Sequence, residues 1–446
     1  MNRLFGTDGV RGPANTAPIT AETATGLGRA AALHFRALGH SGPVVLGRDT
    51  RVSGDMLEHA AAAGVSSAGV DAIMTGVLPT PGISFLVKEM GGMAGMVLSA
   101  SHNPWEDNGI KLFGPGGAKL SDKDEEAVEA LFREPPARLP RETGRIRNAP
   151  SPAARYMDFL VSWFRGFPEE SGLRVVLDCG NGATSWVAPR VFSRVGLSVR
   201  TIHCRPDGTN INRDCGSQHT RDLEKEVKET GAALGFAFDG DGDRCIAVDE
   251  AGRPVSGDRI LLACARALDA TGRLANRTVV STVMSNLGLK KALAADGIRH
   301  VETDVGDRQV LKAMEGSGAV LGGEDSGHMI FSDRHATGDG ILTGLELLSA
   351  LAAGGRPLSA LTEMEVFPQV LLNVPVRERK DLESLPGVAT AVEGARKSLG
   401  NDGRVLVRYS GTRPVCRVMV EGRDQETTLA LAEGIARAVK AELGAA

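Results

Sequence analysis

The sequence predicts an α/β protein in which three similar α/β domains precede a smaller α+β C-terminal domain. Three observations predict it. A Val-rich strand ending in a small or polar turn occurs three times, at residues 44–49, 175–180 and 279–284. Each copy then continues in one order: a helix-like segment, a second short strand opened by glycine, and a third apolar run ending in a polar, glycine-rich loop. Near Glu365 that alternation stops. Strands alternating with helices at this spacing form α/β units with mostly parallel pairing. Three such units in a row read as three copies of one domain.

In the first copy the second strand opens at Gly69-Val70. The third run, residues 93–98, leads into Ser99-Ala100-Ser101-His102-Asn103-Pro104. Ser121 and Asp124 then form a capping-box pattern ahead of an amphipathic helix containing Val128, Leu131 and Phe132. Pro135, Pro136, Pro140, Pro150 and Pro152 punctuate a stretch without periodicity, which bounds a first domain at 1–150. The second copy runs through Gly196-Leu197 to an apolar run at 233–238 and the loop Asp239-Gly240-Asp241-Gly242-Asp243-Arg244. A hairpin containing Cys245 to Asp249 closes it near Ala251-Gly252, giving a second domain at 151–251. The third domain, 252–365, repeats the order through Gly297-Ile298, the run 319–321 and the loop 322–328. In every copy the loop sits at a strand's C-terminal end, where open α/β sheets bind ligands. The tail, 366–446, has another design: a strand at 370–374, a helix-like segment at 388–399, paired strands at 405–407 and 418–420, and a closing amphipathic helix at 427–443.

With 446 residues the chain is too long for one hydrophobic core. Its 42% hydrophobic and 24% charged residues are those of an ordinary globular protein. A net charge of -4 without blocks of like charge excludes nucleic acid or an anionic membrane as the main partner. The first eight residues have no apolar core of the signal-peptide kind, and no apolar stretch is long enough to span a bilayer, so a cytoplasmic protein is expected. Cys179, Cys204, Cys215, Cys245, Cys264 and Cys416 are scattered, which favours buried or free thiols over a zinc site or disulfides. The 56 glycines beside only 4% aromatics imply tight turns and ligand binding by backbone amides.

Four loops carry candidate chemistry. Ser101 follows a buried strand, in a turn closed by Asn103-Pro104, and is well placed as an exposed nucleophile; the same residues also suit an ordinary turn. Asp239, Asp241 and Asp243 alternate with glycines that permit tight curvature, so they can converge on one hard cation, Mg²⁺. An EF-hand is excluded because Arg244 stands where that loop needs glycine and the flanks are strand-like. A solvated acidic turn is the rival, although three carboxylates between Phe238 and Cys245 repel unless a cation or Arg244 compensates. Glu324-Asp325-Ser326-Gly327-His328 suits hydrogen bonding to sugar hydroxyls, with His328 able to carry a proton; a capped helix start is the alternative. Arg408-Tyr409-Ser410-Gly411-Thr412 with Arg417 holds the parts of a phosphate cradle, or of a plain hairpin with surface arginines.

Together with Gly6-Thr7-Asp8-Gly9-Val10-Arg11-Gly12 at one end and Arg417 to Gly422 at the other, these motifs resemble the α-D-phosphohexomutase superfamily over effectively the whole chain. The resemblance implies three α/β domains with mixed sheets plus the smaller fourth around a central cleft. It implies that Ser101 is phosphorylated and binds one Mg²⁺ together with Asp239, Asp241 and Asp243. It places Arg11, His102 and Lys111 near that serine, gives the sugar to Glu324, Ser326 and His328 beside Arg244, and gives the substrate phosphate to Arg408, Ser410, Gly411, Thr412 and Arg417. Gly306-Asp307-Arg308, Thr337-Gly338-Asp339-Gly340 and Pro206-Asp207-Gly208-Thr209-Asn210-Ile211-Asn212 point to the branch acting on glucosamine phosphates. Asp325, Arg413 and Gln309 depart from that branch's usual glutamine, glutamate and aromatic residue.

The implied reaction is reversible conversion of glucosamine 6-phosphate to glucosamine 1-phosphate, feeding UDP-N-acetylglucosamine synthesis. Phosphorylated Ser101 donates to the bound monophosphate, and a hexosamine 1,6-bisphosphate, or a hexose bisphosphate as activator, turns round to rephosphorylate it. Lys111, its pKa lowered by nearby cations, is expected to take the proton from the attacking hydroxyl. A phosphomannomutase/phosphoglucomutase activity is the alternative within the superfamily. A metal-dependent phosphatase and a non-catalytic sugar-phosphate sensor are the rivals from other classes, the sensor disfavoured by the presence of Ser101 and all three aspartates. A homodimer is expected from the resemblance alone.

Overall fold

The computed structural model describes residues 3–6, 8–164, 172–410 and 414–444. It divides into two compact units, Met1–Val283 with Ile298–Glu363, and Met284–Gly297 with Met364–Ala446. In the first unit the described residues form three mixed sheets. The first contains β1 (Val10–Pro13), β2 (Val44–Arg48), β3 (Ala72–Val77), β4 (Ala94–Leu98), β5 (Asp107–Phe113) and β6 (Ile146–Asn148), ordered β1-β5-β4-β2-β3-β6. The second contains β7 (Arg174–Asp178), β8 (Ser198–Ile202), β9 (Leu234–Phe238), β10 (Cys245–Val248) and β11 (Pro254–Val255), ordered β11-β10-β9-β7-β8. The third contains β12 (Thr278–Thr282), β13 (Arg299–Thr303), β14 (Leu321–Gly323) and β15 (Met329–Phe331), ordered β13-β12-β14-β15.

The threefold repeat is therefore a repeat of topology. In each sheet the Val-rich strand is central, the second and third strands flank it in parallel, and a fourth strand returns antiparallel to the third. Strands covered on both faces must be apolar throughout. Val44, Val45, Leu46, Val175, Val176, Leu177, Val279 and Val280 are all buried. The register repeats too. Val45, Val176 and Val280 lie opposite Gly95, Gly235 and Gly322 on their third strands. A Cβ at those glycines would come within 2.6 Å of Val87, Leu223 and Met314, on the helices Thr80–Glu89, Arg221–Thr230 and Asp307–Ser317 that precede each third strand. Glycine at this position lets the crossover helix lie directly on the sheet.

Two local expectations are settled by hydrogen bonds. Ser121 caps the helix Asp122–Arg133, its hydroxyl accepting from the Asp124 amide at 3.1 Å. The turn at Ala251-Gly252 joins two strands that pair in the second sheet. Asp249 accepts from the amides of Ala251 and Arg253, each at 2.9 Å, and β11 pairs with β10 beyond it.

The second unit is an α+β domain. β16 (Gln369–Pro375), β17 (Arg404–Tyr409) and β18 (Val415–Glu421) form an antiparallel sheet ordered β16-β18-β17. Its core contains Val388, Val418, Val420, Ile435 and Val439 from the sheet and from helices Pro386–Leu399 and Gln425–Leu443. The helix Leu287–Ala295 belongs to this unit: Asn286 exchanges hydrogen bonds with Phe367, and the Leu287 amide donates to Glu421 at 3.0 Å. All six cysteines are free thiols. Among the described residues no helix is long and apolar enough to cross a membrane.

Candidate active site

The strand β4 ends at Leu98 and the chain turns sharply, with Ser101 in the left-handed region at φ 54°. Ser101 is not an exposed nucleophile: it is only 1% accessible. The reason is the facing loop after β9, to which its hydroxyl donates a 2.6 Å hydrogen bond at Asp239. One buried guanidinium organises the turn. Arg51 donates to Asp49 at 2.8 Å and to the carbonyls of Ser101, Asn103 and Asp107 at 3.0, 2.8 and 3.0 Å. Asp49 also accepts from the Ser99 hydroxyl, whose oxygen accepts from the Ser101 amide at 2.9 Å. From the second copy, Asn212 donates to the carbonyls of Ser101 and Asn103 at 2.8 and 3.0 Å. Arg51 and Asp49 sat in an ordinary-looking strand end, and no spacing in the sequence singled them out.

Asp239, Asp241 and Asp243 each offer a carboxylate oxygen within 4.8 Å of the other two, and all three are buried. Burial, and then the charges of Asp243 and Asp241, push the Asp239 carboxyl well above its ordinary range. Burial acts likewise on Asp241, but Lys111 and the Thr80 hydroxyl outweigh it and hold that carboxyl low. Asp241 Oδ1 and Asp243 Oδ1 are buried without a hydrogen-bond partner among the described residues. Buried carboxylate oxygens left unmet are costly, and an all-oxygen donor set of this kind suits a hard divalent cation. These residues fit Mg²⁺.

Lys111 is 3% exposed, so it is no solvated strand-end lysine. Its ammonium lies 2.8 Å from Asp241, 3.1 Å from Asp8 and 3.3 Å from Asp243. Burial works to lower its pKa, but these carboxylates outweigh burial and hold it well above the ordinary lysine value. The charges nearest Lys111 are anions, whereas the expected lowering rests on nearby cations. His102 has its Nδ1 3.4 Å from the Ser101 hydroxyl. Burial, then Arg244 and Arg11, lower its pKa to about 4, so the ring is neutral near pH 7. Arg11 donates to the Ala100 carbonyl at 3.3 Å and pairs with Asp8.

The loops after β9 and β14 lie side by side. Arg244 bridges to His328, the Cys245 amide donates to the Gly327 carbonyl at 3.0 Å, and the Arg244 amide donates to Asp239 at 3.1 Å. Ser326 Oγ and both ring nitrogens of His328 are buried without hydrogen-bond partners among the described residues. Glu324 Oε1 accepts from the Gly306 amide at 3.1 Å. Asp325 is turned away: its carboxylate accepts from the Asp258 amide at 3.2 Å, in the first turn of the helix Gly257–Ala270. Three further charged residues join these loops. Lys119 pairs with Asp8 at 2.6 Å and with Asp307, and His328 Nε2 lies 3.6 Å from Asp307. Asp8 and Asp307 stood in motifs quoted above without an assigned role; Lys119 had no signal at all.

In the second unit Arg408 and Arg417 are direct cross-strand partners on β17 and β18. Like charges directly opposite destabilise a sheet, and a bound anion relieves that. The Ser410 amide donates to Val415 at 2.8 Å. Gly411, Thr412 and Arg413 lie outside the described residues.

Four family profiles match in order. They are described as phosphoglucomutase/phosphomannomutase alpha/beta/alpha domain I (residues 2–138), domain II (154–252) and domain III (256–367), and phosphoglucomutase/phosphomannomutase C-terminal domain (371–438). The phosphoglucosamine mutase of Syntrophobacter fumaroxidans is 49% identical over 452 residues, covering 100% of both chains. That of Desulforapulum autotrophicum is 50% identical over 462 residues, covering 99% of each. Among solved structures, a phosphoglucomutase/phosphomannomutase family protein from Burkholderia thailandensis superposes with a TM-score of 0.82 at 26% identity, covering 98% of this chain and 97% of that one. The fold is shared with Aspergillus fumigatus N-acetylphosphoglucosamine mutase, solved in complex with GlcNAc-6P and magnesium, at a TM-score of 0.68 and 18% identity over 98% of this chain and 95% of that one.

Proposed function

This chain belongs to the phosphoglucomutase/phosphomannomutase family, and we propose that it interconverts glucosamine 6-phosphate and glucosamine 1-phosphate through phosphorylated Ser101. The observation that carries the proposal is the Ser101 hydroxyl, 2.6 Å from Asp239 within the buried aspartate triad. A serine at this place can carry a phosphoryl group beside a divalent cation. Phosphoryl transfer needs alignment and charge neutralisation more than covalent help. Asp239, Asp241 and Asp243, with Ser101, would hold Mg²⁺, which when bound neutralises charge on a transferring phosphoryl group.

In the forward step the bond from phosphorus to the Ser101 oxygen breaks as one forms to the free sugar hydroxyl, whose proton ends on the departing Ser101 oxygen, giving a 1,6-bisphosphate. The reverse transfer returns the other phosphate to Ser101. Lys111 would take up and pass on that proton, with a cation on Asp241 and Asp243 to offset the carboxylate charge beside it. Neutral His102, with Arg11 and Arg244, lines the same ground. Glu324, Ser326 and His328 take the sugar hydroxyls, and the unmet polar atoms of Ser326 and His328 support that role. Arg408, Ser410, Gly411, Thr412 and Arg417 take the substrate's phosphate.

The test is turnover of glucosamine 6-phosphate, glucose 1-phosphate and mannose 1-phosphate with Mg²⁺ and a trace of hexose 1,6-bisphosphate. A Ser101→Ala control and a free-phosphate readout accompany it. A large preference for the glucosamine substrate, abolished in Ser101→Ala, is expected. Preference for mannose or glucose phosphate would reassign the sugar, and release of inorganic phosphate alone would make the protein a phosphatase.

A further inference from the structure

We infer that the Asp307 carboxylate selects the amino sugar by receiving its protonated amine. Asp307 has this role only if glucosamine phosphates are the substrates, as proposed above. The residue opens the helix Asp307–Ser317, directly after Gly306 at φ 125°. The Gly306 amide donates to Glu324, which fixes this helix start to the sugar loop. The carboxylate is largely buried and lies 3.6 Å from His328 Nε2. That imidazole is 3% exposed yet has neither ring nitrogen hydrogen-bonded among the described residues, and neighbouring Ser326 Oγ is also unmet. A sugar that satisfies these groups brings its ring substituents within reach of Asp307.

Among the described residues, Asp307 is the carboxylate that lies against the His328 ring. Glu324 accepts from Gly306, and Asp325 caps the helix Gly257–Ala270. Asp307 also accepts from its neighbour's amide, Arg308, at 2.7 Å, while its other oxygen faces Lys119 and His328. Lys119 has a second partner in Asp8 at 2.6 Å. It therefore stays paired when Asp307 receives another cation, and the exchange strands no buried charge. A neutral hydroxyl at the same place offers only an ordinary hydrogen bond, whereas an ammonium offers a charge-assisted one.

The experiment compares kcat/KM for glucosamine 6-phosphate and glucose 6-phosphate, across pH, in the wild type, Asp307→Asn and Asp307→Glu. Any general loss from the weakened Lys119 pairing divides out of the ratio. Asp307→Asn is expected to reduce the preference for the amino sugar by about 10- to 100-fold, mainly through KM. Asp307→Glu is expected to recover part of it. In the wild type the preference should decline as pH rises and the sugar amine loses its proton; in Asp307→Asn it should be flat. Equal losses on both sugars would make Asp307 structural and overturn the assignment. A wild type whose preference does not change with pH would overturn it too, without relying on a variant. A wild type with no turnover of glucosamine 6-phosphate would instead remove the substrate assignment itself, and Asp307's role with it.

Discussion

Arg51 touches neither the Ser101 hydroxyl nor the aspartate triad, yet its guanidinium fork is divided between Asp49 and the carbonyls of the Ser101 turn. Replacing it by methionine leaves Asp49 buried beside no cation, a loss of the kind that costs roughly 3–5 kcal/mol. Arg51→Met is expected to lower the unfolding midpoint and to reduce incorporation of phosphate at Ser101, read by mass spectrometry. Arg51→Lys keeps the charge but not the fork, and should restore stability more than phosphorylation. Equal phosphorylation in all three proteins would show that the turn holds its shape without this residue. At this scale the sequence singled out Ser101 and the three aspartates that the fold brings together, because their types and spacing are unusual. It did not announce Arg51 or Lys119, since a single arginine after a strand or lysine after a turn is indistinguishable from a surface residue. Nor did it announce the surroundings of Lys111, because only the fold brings Asp8, Asp241 and Asp243 around it.

The three third-strand glycines belong to the scale of elements. Gly235 faces Leu223 and Val227, and Gly322 faces Val310 and Met314, each tighter than a methyl group allows. Gly235→Ala is expected to destabilise by about 1–3 kcal/mol through overpacking, measured by denaturant unfolding with the slope unchanged. Gly322→Ala should cost less, because Met314 has a flexible thioether that can yield. Equal and negligible effects would mean the helices shift freely over the sheets. The strands themselves were readable, since continuous Val-rich runs bounded by turns have few other meanings. Their register was not: nothing local says that Val45, Val176 and Val280 each face a glycine on the neighbouring strand. The Ala251-Gly252 turn shows the same limit. A glycine after a strand marks a turn, and whether the chain then returns to the same sheet depends on a partner strand.

Across the whole molecule, the first unit gathers the serine turn of one copy, the aspartate loop of the next and the Glu324–His328 loop of the third. Such concentrated negative charge couples stability to cation binding. Mg²⁺ at a hundred times its dissociation constant should stabilise the fold by about 2.7 kcal/mol, seen as a rise in the unfolding midpoint. Asp241→Ala should abolish that rise, and an equal rise in both proteins would place the cation elsewhere. By itself the sequence determined the α/β class, the threefold order and the distinct C-terminal domain, and it singled out four loops as candidates for the chemistry. These follow from periodicity and residue type, which are local properties of a chain. Tertiary structure alone decided that Ser101 is buried against Asp239, that Lys111 is buried against Asp241, and that Asp307 reaches His328. Those are distances and fields between groups 138, 130 and 21 positions apart, and burial and Coulomb energy depend on separation in space, which local pattern does not encode.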